Sequence, residues 1–483
     1  MPTTVRIVPQ SGESLLDGLR RVGVFVPAPC GGKGICGKCT VEVEGVGWVK
    51  ACGFYPDKKI RVTVPEVSPM LILTESYWPD PEPRFDPFPP GAQQDFGLAI
   101  DLGTTTVVVF LEDIQHHRNL GVRSFPNPQQ AYGADVISRI HYAAEHPHGT
   151  RKLQNSILES IAEAGLFMCQ EMGVDPDRVG RIVIAGNTTM QHLVKGANPK
   201  SLATFPFRPV FLEEQQIPGL FSGFKQARVE LIPSLASFIG ADIVAGFAAV
   251  SLQENPGWNL FLDIGTNGEM VLWNKGRILT CATAAGPAFE GARISCGMPG
   301  VEGAIRTVNP DGSYETIGNK PPAGLCGSGL VDAVALLLNN GTIDATGYLP
   351  ADAPIVSVNS SVVALVPQDI RELQLAKGAI AAGLEILMME AGIKAEKIAR
   401  VYLAGGFGYA LHDWSTTRIG LIPAKLEKRL IRAGNTSGLG ARLWLHSEEF
   451  RDYTRNIIPR MEYVELSDHP EFNDRFVMNI GFV

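Results

Sequence analysis

The spacing of apolar and polar residues divides the chain into a short N-terminal part and a long C-terminal part. In the N-terminal part, alternating apolar positions predict strands in Thr3 to Pro9, Thr40 to Val46 and Ile60 to Pro65, and Ser14 to Gly23 has the spacing of a short helix. From Phe96 the composition changes abruptly to apolar strands. We therefore predict a small α+β domain at residues 1–65 and a larger α/β domain at residues 96–483.

Residues 66–95 form a linker between these two domains. The segment is dense in proline and acidic residues, and only the apolar run MLIL suggests an anchored piece. Proline at this density favours extended backbone and cannot continue a helix or a central strand. We interpret the linker as a semi-rigid tether that carries the N-terminal domain to more than one partner. An inert spacer packed on the next domain is the alternative, and both interpretations stay open.

Four cysteines in the N-terminal domain have the spacing Cys30-(x5)-Cys36-(x2)-Cys39-(x12)-Cys52. A [2Fe–2S] cluster is held by four thiolates, and backbone N–H groups that approach closely stabilise its sulfur atoms. Glycine permits that approach because it has no Cβ. The loop contains four glycines, Gly31, Gly32, Gly34 and Gly37. The sequence predicts a [2Fe–2S] site, with zinc as the alternative because four thiolates also form a tetrahedral zinc site.

Composition limits the remaining possibilities. The chain has 483 residues, a net charge of −8 and a pI near 5.7. The acidic balance argues against a nucleic-acid partner, and no apolar run reaches the roughly 18 residues of a membrane helix. Eight cysteines are an ordinary count for this length and favour a reducing cytoplasm over a disulfide framework. We interpret the four cysteines outside the N-terminal domain as core thiols: Cys169, Cys281, Cys296 and Cys326.

A strand–turn–strand pattern with an aspartate before the turn occurs twice in the C-terminal domain. Phe96 to Phe110 reads FGLAIDLGTTTVVVF, and Asn259 to Trp273 reads NLFLDIGTNGEMVLW. In such a turn, hydroxyls and N–H groups donate to phosphate and the aspartate holds a metal through water. The duplication predicts a phosphate and Mg²⁺ site built from two related halves. Its candidate residues are Asp101, Gly103, Thr104, Thr105, Asp263, Gly265, Thr266 and Asn267, with Gly268 matching in place.

A third element, Val401 to Gly408, reads VYLAGGFG, an apolar strand that leads into a glycine pair. A backbone without side chains can press against an adenine or a ribose, so we expect Gly405, Gly406 and Phe407 to border a nucleoside. Each of these glycines taken alone is also compatible with a plain structural turn.

Two resemblances follow from these elements. The N-terminal order of hairpin, helix, cluster loop and strand resembles the plant-type ferredoxin β-grasp domain. The two DxGT hairpins and the glycine pair, in this order, resemble the actin, sugar kinase and heat-shock ATPase superfamily, in which two related ribonuclease H-like lobes clasp ATP and Mg²⁺. This second resemblance implies that Asp135 to Ala144 is the helix crossing between lobes and that the second crossing helix starts near Gly438 to Arg442.

Five further loops occur in an order that resembles the reductive activators of corrinoid-dependent proteins: Phe125 to Ile140, Arg181 to Leu193, Ser237 to Gly246, Ala284 to Gly300 and Gly324 to Val334. The resemblance implies ATP-dependent reduction of Co(II) to Co(I) in a corrinoid protein of a methyltransferase system. It also implies a low-potential electron donor, such as ferredoxin or flavodoxin, and a homodimer. The chain departs from the longer members in having no separate middle domain.

Other candidate residues carry two interpretations each. Asp242 in IGAD is a candidate water-positioning carboxylate, or a capping or first-turn acid of a helix. Glu290 and Arg293 contact the nucleotide or the corrinoid partner, or they lie in a solvated loop. His141, His146 and His148 have no carboxylate or cysteine at a spacing that would complete a metal site.

Two other classes of function remain open from the residues. One is a redox-regulated small-molecule kinase, although no sugar-binding loop can be identified. The other is a non-enzymatic electron carrier in which the two-lobed domain is a nucleotide-sensing scaffold.

Overall fold

The structure is a computed structural model that describes residues 3–22, 24, 26, 34, 39–65, 78–79, 82–89, 93–252, 255–291, 293–358 and 361–483. The chain forms two compact units. The first contains Met1–Ser68 and Pro90–Leu231, and the second contains Pro69–Pro89 and Ile232–Val483. Of the helices in the described ranges, none combines the length and the apolar character needed to cross a lipid bilayer.

The N-terminal part of the first unit is a four-stranded antiparallel sheet with one helix packed on it. The strands have the order β1-β4-β2-β3, and the apolar face of α1 packs on them around Val41 and Val62. The elements are β1 (Thr3–Ile7), α1 (Leu15–Arg21), β2 (Thr40–Val43), β3 (Gly47–Lys50) and β4 (Ile60–Val64). The prediction of an α+β domain is confirmed.

Two details of this domain differ from the prediction. The strand predicted at 40–46 ends at Val43, because Gly45 and Gly47 take positive φ values of 78° and 92° and turn the chain into β3. A single strand, and not a hairpin, precedes α1. The hairpin is formed instead by β2 and β3, after the cysteine loop.

The rest of the first unit is a six-stranded mixed sheet with the order β7-β6-β5-β8-β10-β9. Strand β5 pairs antiparallel with β6 and parallel with β8, and both β5 and β6 are apolar along nearly their whole length because they are buried. The elements are β5 (Phe96–Leu102), β6 (Thr106–Asp113), β7 (Arg118–Pro126), α2 (Val136–Glu145), α3 (Gly149–Met172), β8 (Val179–Gly186), α4 (Thr188–Lys195), β9 (Gln215–Pro218) and β10 (Arg228–Leu231).

The second unit repeats this arrangement. Its main sheet has the order β20-β19-β11-β12-β13-β21, and β11, like β5, pairs antiparallel with the next strand and parallel with a later one. The elements of the sheet are β11 (Trp258–Ile264), β12 (Gly268–Trp273), β13 (Ile278–Thr283), β19 (Ile398–Ala404), β20 (Leu430–Gly434) and β21 (Met461–Tyr463). The predicted duplication of the C-terminal α/β domain is confirmed.

Helices and two small sheets complete the second unit. The helices are α5 (Ala241–Ser251), α6 (Gly327–Asn339), α7 (Pro367–Glu390), α8 (Gly405–Ala410), α9 (Asp413–Arg418), α10 (Thr436–His446), α11 (Glu448–Ile457) and α12 (Phe472–Met478). The small sheets contain β14 (Ala304–Val308), β15 (Tyr314–Thr316), β16 (Gly324–Leu325), β17 (Ala353–Val358) and β18 (Ser361–Leu365).

Helix α10 lies where the second crossing helix was predicted, and its partner is α5. The two helices approach very closely, since a Cβ atom on Gly440 would lie 2.5 Å from the backbone of Ala245, and one on Gly246 would lie 2.6 Å from Oγ1 of Thr436. Helix α2, the predicted first crossing helix, packs on α3 within the first unit. Its role as a crossing helix stays a prediction.

The end of the linker is fixed to the second unit. The backbone N–H of Asp86 donates to the carbonyl oxygen of His446 at 2.9 Å, and its carboxylate pairs with Arg451 at 2.6 Å. The Ser447 hydroxyl donates to the carbonyl oxygen of Arg84 at 2.7 Å. Residues 84–86 therefore pack on the end of α10 and on α11. The MLIL run lies outside the described residues.

Candidate functional site

Two of the four predicted cluster ligands lie side by side in the N-terminal domain. Cys39 precedes β2, and Cys52 lies in a short 3₁₀ turn after β3, where the N–H of Ala51 donates to the carbonyl oxygen of Cys39 at 2.8 Å. The two Sγ atoms are 3.3 Å apart, and both residues are buried. A convergent pair of thiols fits the donor set of a [2Fe–2S] cluster. Cys30 and Cys36 lie outside the described residues.

The four remaining cysteines are core thiols, as predicted. None of them forms a disulfide; three are buried and Cys296 is partly buried. Burial raises the pKa of Cys169 and of Cys296 to about 11. Thiols of this kind stay protonated and are poor metal ligands near neutral pH.

The first DxGT turn connects β5 and β6. The register pairs Leu102 with Val107, so the turn consists of the residues from Gly103 to Thr106. The N–H of Gly103 donates to the carbonyl oxygen of Thr106 at 3.0 Å, and a Cβ atom on Gly103 would lie 2.6 Å from that oxygen. The turn therefore requires glycine at this position. Asp101 is partly buried near the end of β5, just before the turn.

Side chains from the following loop and from α2 hold this turn by its carbonyl oxygens. Asn127 donates to the carbonyl oxygen of Gly103 at 2.8 Å. The side chains of Gln130 and Arg139 donate to the carbonyl oxygens of Thr105 and Thr104. A further side chain, the Asn187 amide that also caps α4, donates to the hydroxyl of Thr104 at 2.9 Å. The turn is thereby held in one conformation before any ligand binds.

The second DxGT turn, between β11 and β12, is similar but shorter. Here Ile264 pairs with Gly268, so the residues from Gly265 to Asn267 form the turn, and the N–H of Gly265 donates to the carbonyl oxygen of Asn267 at 2.8 Å. Gly268 is the first residue of β12, as Thr106 is of β6. The two turns differ in register, because Leu102 pairs with Val107 whereas Ile264 pairs with Gly268, one position earlier.

Glu269 is a candidate residue that sequence reasoning missed. It lies directly opposite Asp263 in the β11–β12 register. Burial, together with the negative charges of Asp242 and Asp263, raises the pKa of Glu269 well above its ordinary value. In the sequence, the signal was the glutamate that directly follows Asn267 and Gly268. Glu269 pairs with Asp263 as Val108 pairs with Asp101 in the first hairpin.

Asp242 lies in the first turn of α5. The N-cap of this helix is Gly240, and the carboxylate of Asp242 accepts a hydrogen bond from the N–H of Ile243 at 2.9 Å. Of its two structural interpretations, the first-turn acid is the one observed. Its negative charge also raises the pKa of Glu269, so Asp242 belongs to the acidic group around the second turn.

The glycine pair of the third element starts helix α8 directly at the end of β19. Because β19 runs parallel to β11, with Ala404 paired to Asp263, the next residue meets the aspartate. Gly405 has a φ of +75°, and a Cβ atom there would lie 2.5 Å from Oδ1 of Asp263. Gly406 faces open space. The Phe407 ring stacks on Phe289 with the ring centroids 4.6 Å apart.

The loop from Ala284 to Gly300 contacts the second turn through Glu290, which accepts a hydrogen bond from the hydroxyl of Thr266. Arg293 points away from this contact: its side chain is 69% exposed and lies 4.0 Å from Glu372. The two loop residues therefore differ, with Glu290 beside the second turn and Arg293 in solvent.

A buried carboxylate fixes the chain that follows α8. Asp332 of α6 pairs with Nδ1 of His412 at 2.8 Å and accepts a hydrogen bond from the hydroxyl of Ser415. The hydrogen bond to Asp332 raises the pKa of His412. The residues directly after α8, His412 and Ser415, are thus attached to α6.

Three family models together match nearly the whole chain. A model described as the 2Fe-2S iron-sulfur cluster binding domain matches residues 1–59, one described as the RACo middle region matches residues 96–255, and one described as the C-terminal domain of RACo, the ASKHA domain, matches residues 257–483. The expectation that the chain has no middle region is therefore wrong, since the residues directly after the linker match the model of that region.

Individual relatives agree with these models. The chain is 34% identical over 420 residues to the corrinoid activation enzyme RamQ of Eubacterium limosum, covering 80% of this chain and 70% of the relative. It is 27% identical over 429 residues to the [Co(II) methylated amine-specific corrinoid protein] reductase of Methanosarcina barkeri, covering 80% and 77%. A solved reductive activator for a corrinoid, iron-sulfur protein matches with a TM-score of 0.73 and 30% identity, covering 99% and 96%.

The fold and the two DxGT turns define a two-lobed ATPase of the actin-like class that follows a [2Fe–2S] cluster-binding domain. The extent and identity of the matches then specify the family. The chain belongs to the RACo family of reductive activators of corrinoid proteins.

The close approach of Gly405 to Asp263 gives a direct mutational test of the second turn. We expect Gly405→Ala to lower the rate of Mg²⁺-dependent ATP hydrolysis at least tenfold. The new methyl group would displace the Asp263 carboxylate, and a left-handed backbone costs a non-glycine residue about 1–2 kcal/mol. Gly392→Ala, the control, adds the same methyl group at another left-handed glycine (φ +67°) with open space around it and should keep the wild-type rate. Equal rates in both variants, measured at saturating ATP, would show that Asp263 tolerates displacement.

Proposed function

We propose that this protein uses ATP to drive the one-electron reduction of Co(II) to Co(I) in a corrinoid protein of a methyltransferase system. One observation carries the proposal: a pair of adjacent, buried thiols in a cluster-binding domain and two DxGT turns belong to one chain. The relatives are named as a corrinoid activation enzyme and as a Co(II) corrinoid protein reductase, which supports the same reaction here.

The energetics explain why an electron carrier would be joined to an ATPase. Co(II)/Co(I) couples lie far below ordinary biological reductants, and an iron–sulfur protein alone only equilibrates with its partner. Shifting a ratio by about four decades requires roughly 5.5 kcal/mol of differential binding. At about 59 mV per decade for one electron, this is roughly 240 mV. Preferential binding to one coordination state of cobalt supplies this difference, and ATP turnover then releases the tight complex.

In this proposal the chain is divided into a cluster domain at 1–65, a linker at 66–95 and a two-lobed ATPase at 96–483. The family models match residues 1–59, 96–255 and 257–483, so they agree with a cluster domain and a break before residue 96, and they divide residues 96–483 into two matched regions. Cys39 and Cys52, with Cys30 and Cys36, hold a [2Fe–2S] cluster, which when bound carries one electron at a time. A ferredoxin or flavodoxin of low potential is the proposed donor, and the active form is a homodimer by analogy with the family.

The nucleotide residues come from the two DxGT hairpins, from α5 and from the glycine pair that begins α8. Asp101 and Asp263 hold Mg²⁺, and Asp242 positions the attacking water. The turn residues donate to phosphate oxygens, since a preorganised turn offers N–H and hydroxyl groups to anions without further ordering. These turn residues are Gly103, Thr104, Thr105, Gly265, Thr266 and Asn267. The remaining three, Gly405, Gly406 and Phe407, border the nucleoside.

The proposal predicts that the corrinoid partner controls hydrolysis. Steady-state ATP hydrolysis should be slow for the protein alone and should rise at least tenfold when a corrinoid protein in the Co(II) state is added anaerobically. The same corrinoid protein in its methylated state is the control and should not stimulate. Phosphate transfer from ATP to a small molecule would favour a kinase, and complete absence of hydrolysis would favour an electron carrier with a nucleotide-sensing scaffold.

A further inference from the structure

The cluster domain contacts the first lobe through one arginine of α1. The guanidinium carbon of Arg20 lies 5.6 Å from the ring centroid of Tyr132, and Tyr132 packs on Tyr142 with the centroids 4.8 Å apart. The Arg20 side chain is only 14% exposed, and one of its nitrogens bonds Asp17 at 2.9 Å. Its Nε and Nη2 atoms are buried and have no hydrogen-bond partner among the described residues. The Tyr132 ring therefore adds a cation–π attraction to the ion pair that Arg20 makes with Asp17.

The two tyrosines belong to the segment that holds the first DxGT turn. This segment, residues 127–142, is named here the grip segment. Asn127 and Gln130 at its start, and Arg139 near its end, donate to the carbonyl oxygens of the turn. Tyr132 lies between Gln130 and Arg139 in the same segment, and Tyr142 lies one helical turn after Arg139. The docking surface for α1 and the support of the turn are therefore parts of one element.

Arg139 links the two faces of the grip segment directly. It is fully buried, and while its Nη2 donates to the turn, its Nε donates to the carbonyl oxygen of Gly133 at 2.9 Å, the residue next to Tyr132. The path from the turn to the cluster domain thus runs from Thr104 through Arg139 to Tyr132 and on to Arg20. Every step of this path is a hydrogen bond, a peptide bond or a ring contact.

The grip segment is packed too closely to absorb a displacement internally. A Cβ atom on Gly133 would lie 2.5 Å from Oγ of Ser138. Asp135 and Ser138 form a capping box at the start of α2, in which each side chain bonds the backbone N–H of the other residue. A tightly packed element shifts as a unit, so a change at one face is transmitted to the other.

We propose that the grip segment couples nucleotide binding at the first DxGT turn to the docking of the cluster domain on Tyr132 and Tyr142. The coupling is positive: a docked α1 holds the grip segment, which holds the turn in the conformation that accepts phosphate. By linkage, nucleotide then favours docking by the same factor. Nucleotide thereby sets where the electron-carrying domain is held. The inference rests on the proposed nucleotide site.

The test compares two neighbouring arginines of α1 in the full-length protein. Arg20→Ala removes the contact with the tyrosines, whereas Arg21→Ala removes the same charge from a residue that bonds Glu13 and the carbonyl oxygen of Val8 within the cluster domain. We expect Arg20→Ala to raise the Kd of MgADP, measured by calorimetry, about fivefold, the lower end of typical couplings. Arg21→Ala should leave that Kd unchanged.

Further variants test Tyr142, the ring on which Tyr132 packs. Tyr142→Ala should raise the Kd of MgADP as Arg20→Ala does, Tyr142→Phe should keep the wild-type value, and Arg20→Ala combined with Tyr142→Ala should show no further loss. MgADP should slow amide hydrogen exchange in α1 of the wild type but not of Tyr142→Ala. Visible spectra and thermal unfolding report whether each variant has folded.

The outcomes separate this inference from the proposed function. A Kd that is unchanged in both Arg20→Ala and Tyr142→Ala, or that rises equally in Arg21→Ala, overturns the coupling and leaves the nucleotide site standing. A wild-type protein that binds no MgADP overturns the nucleotide site, and the coupling with it.

Discussion

Asp263→Ala is expected to lower Mg²⁺-dependent ATP hydrolysis by roughly 10²–10³-fold, the usual cost of losing one group that stabilises charge in the transition state. Asp263 lies near the end of β11 opposite Glu269, and its carboxylate lies close against the backbone of Gly405, which fixes its position. The measurement is the initial rate of phosphate release at saturating ATP with and without Mg²⁺.

The matched control for Asp263→Ala is Asp311→Ala in the same unit. Asp311 is exposed and bonds only the hydroxyl and N–H of Ser313 in a surface turn. That variant should keep the wild-type rate, and both variants should keep the visible spectrum of the cluster domain. Hydrolysis that survives in Asp263→Ala, and also in Asp101→Ala, would show that the two hairpins are only structural.

Cys39→Ser is expected to abolish both the cluster and Co(I) formation while ATP hydrolysis remains. The wild-type protein should be brown, with about two iron and two sulfide per chain and a spectrum that bleaches on reduction. Cys39 is buried beside Cys52, and a serine hydroxyl is a much poorer ligand than a thiolate for this soft site. Iron and sulfide analysis and the visible spectrum provide the measurement.

Cys281→Ser is the matched control for this substitution. Cys281 is also buried and free, but it lies in β13 of the second unit, and burial raises the pKa of its thiol. The iron content of the Cys281→Ser protein should equal that of the wild type. Stoichiometric zinc without iron in anaerobically prepared wild-type protein would contradict the cluster assignment and favour a tetrahedral zinc site instead.

Local patterns predicted the two hairpins well because each depends only on neighbouring residues. The strands β5 and β11 begin within one residue of the predicted positions, since an apolar run that ends in Asp, an apolar residue and Gly specifies both a strand and its turn. Glu269 was missed because its position opposite Asp263 depends on the length of the turn. The second turn is one residue shorter than the first, so Glu269 becomes the residue that pairs with Asp263.

Features that depend on distant residues could not be read from the sequence. The ion pair between Asp86 and Arg451 joins residues that are 365 positions apart in the sequence. The pairing of α10 with α5 depends on Gly440 and Gly246, whose small size allows close approach only after both helices exist. Helix α8 was missed because two glycines at a helix start are poor helix formers and predict a turn.

The central claim is that ATP drives an electron from the cluster domain to cobalt, and the absorbance of Co(I) in a partner corrinoid protein tests it most directly. The wild-type protein, a low-potential electron donor and the Co(II) corrinoid protein are mixed anaerobically, and ATP is added last. The account predicts little Co(I) before ATP and a sustained rise afterwards that is absent in Asp263→Ala and in Cys39→Ser. Equal, sustained Co(I) yields with and without ATP would contradict it.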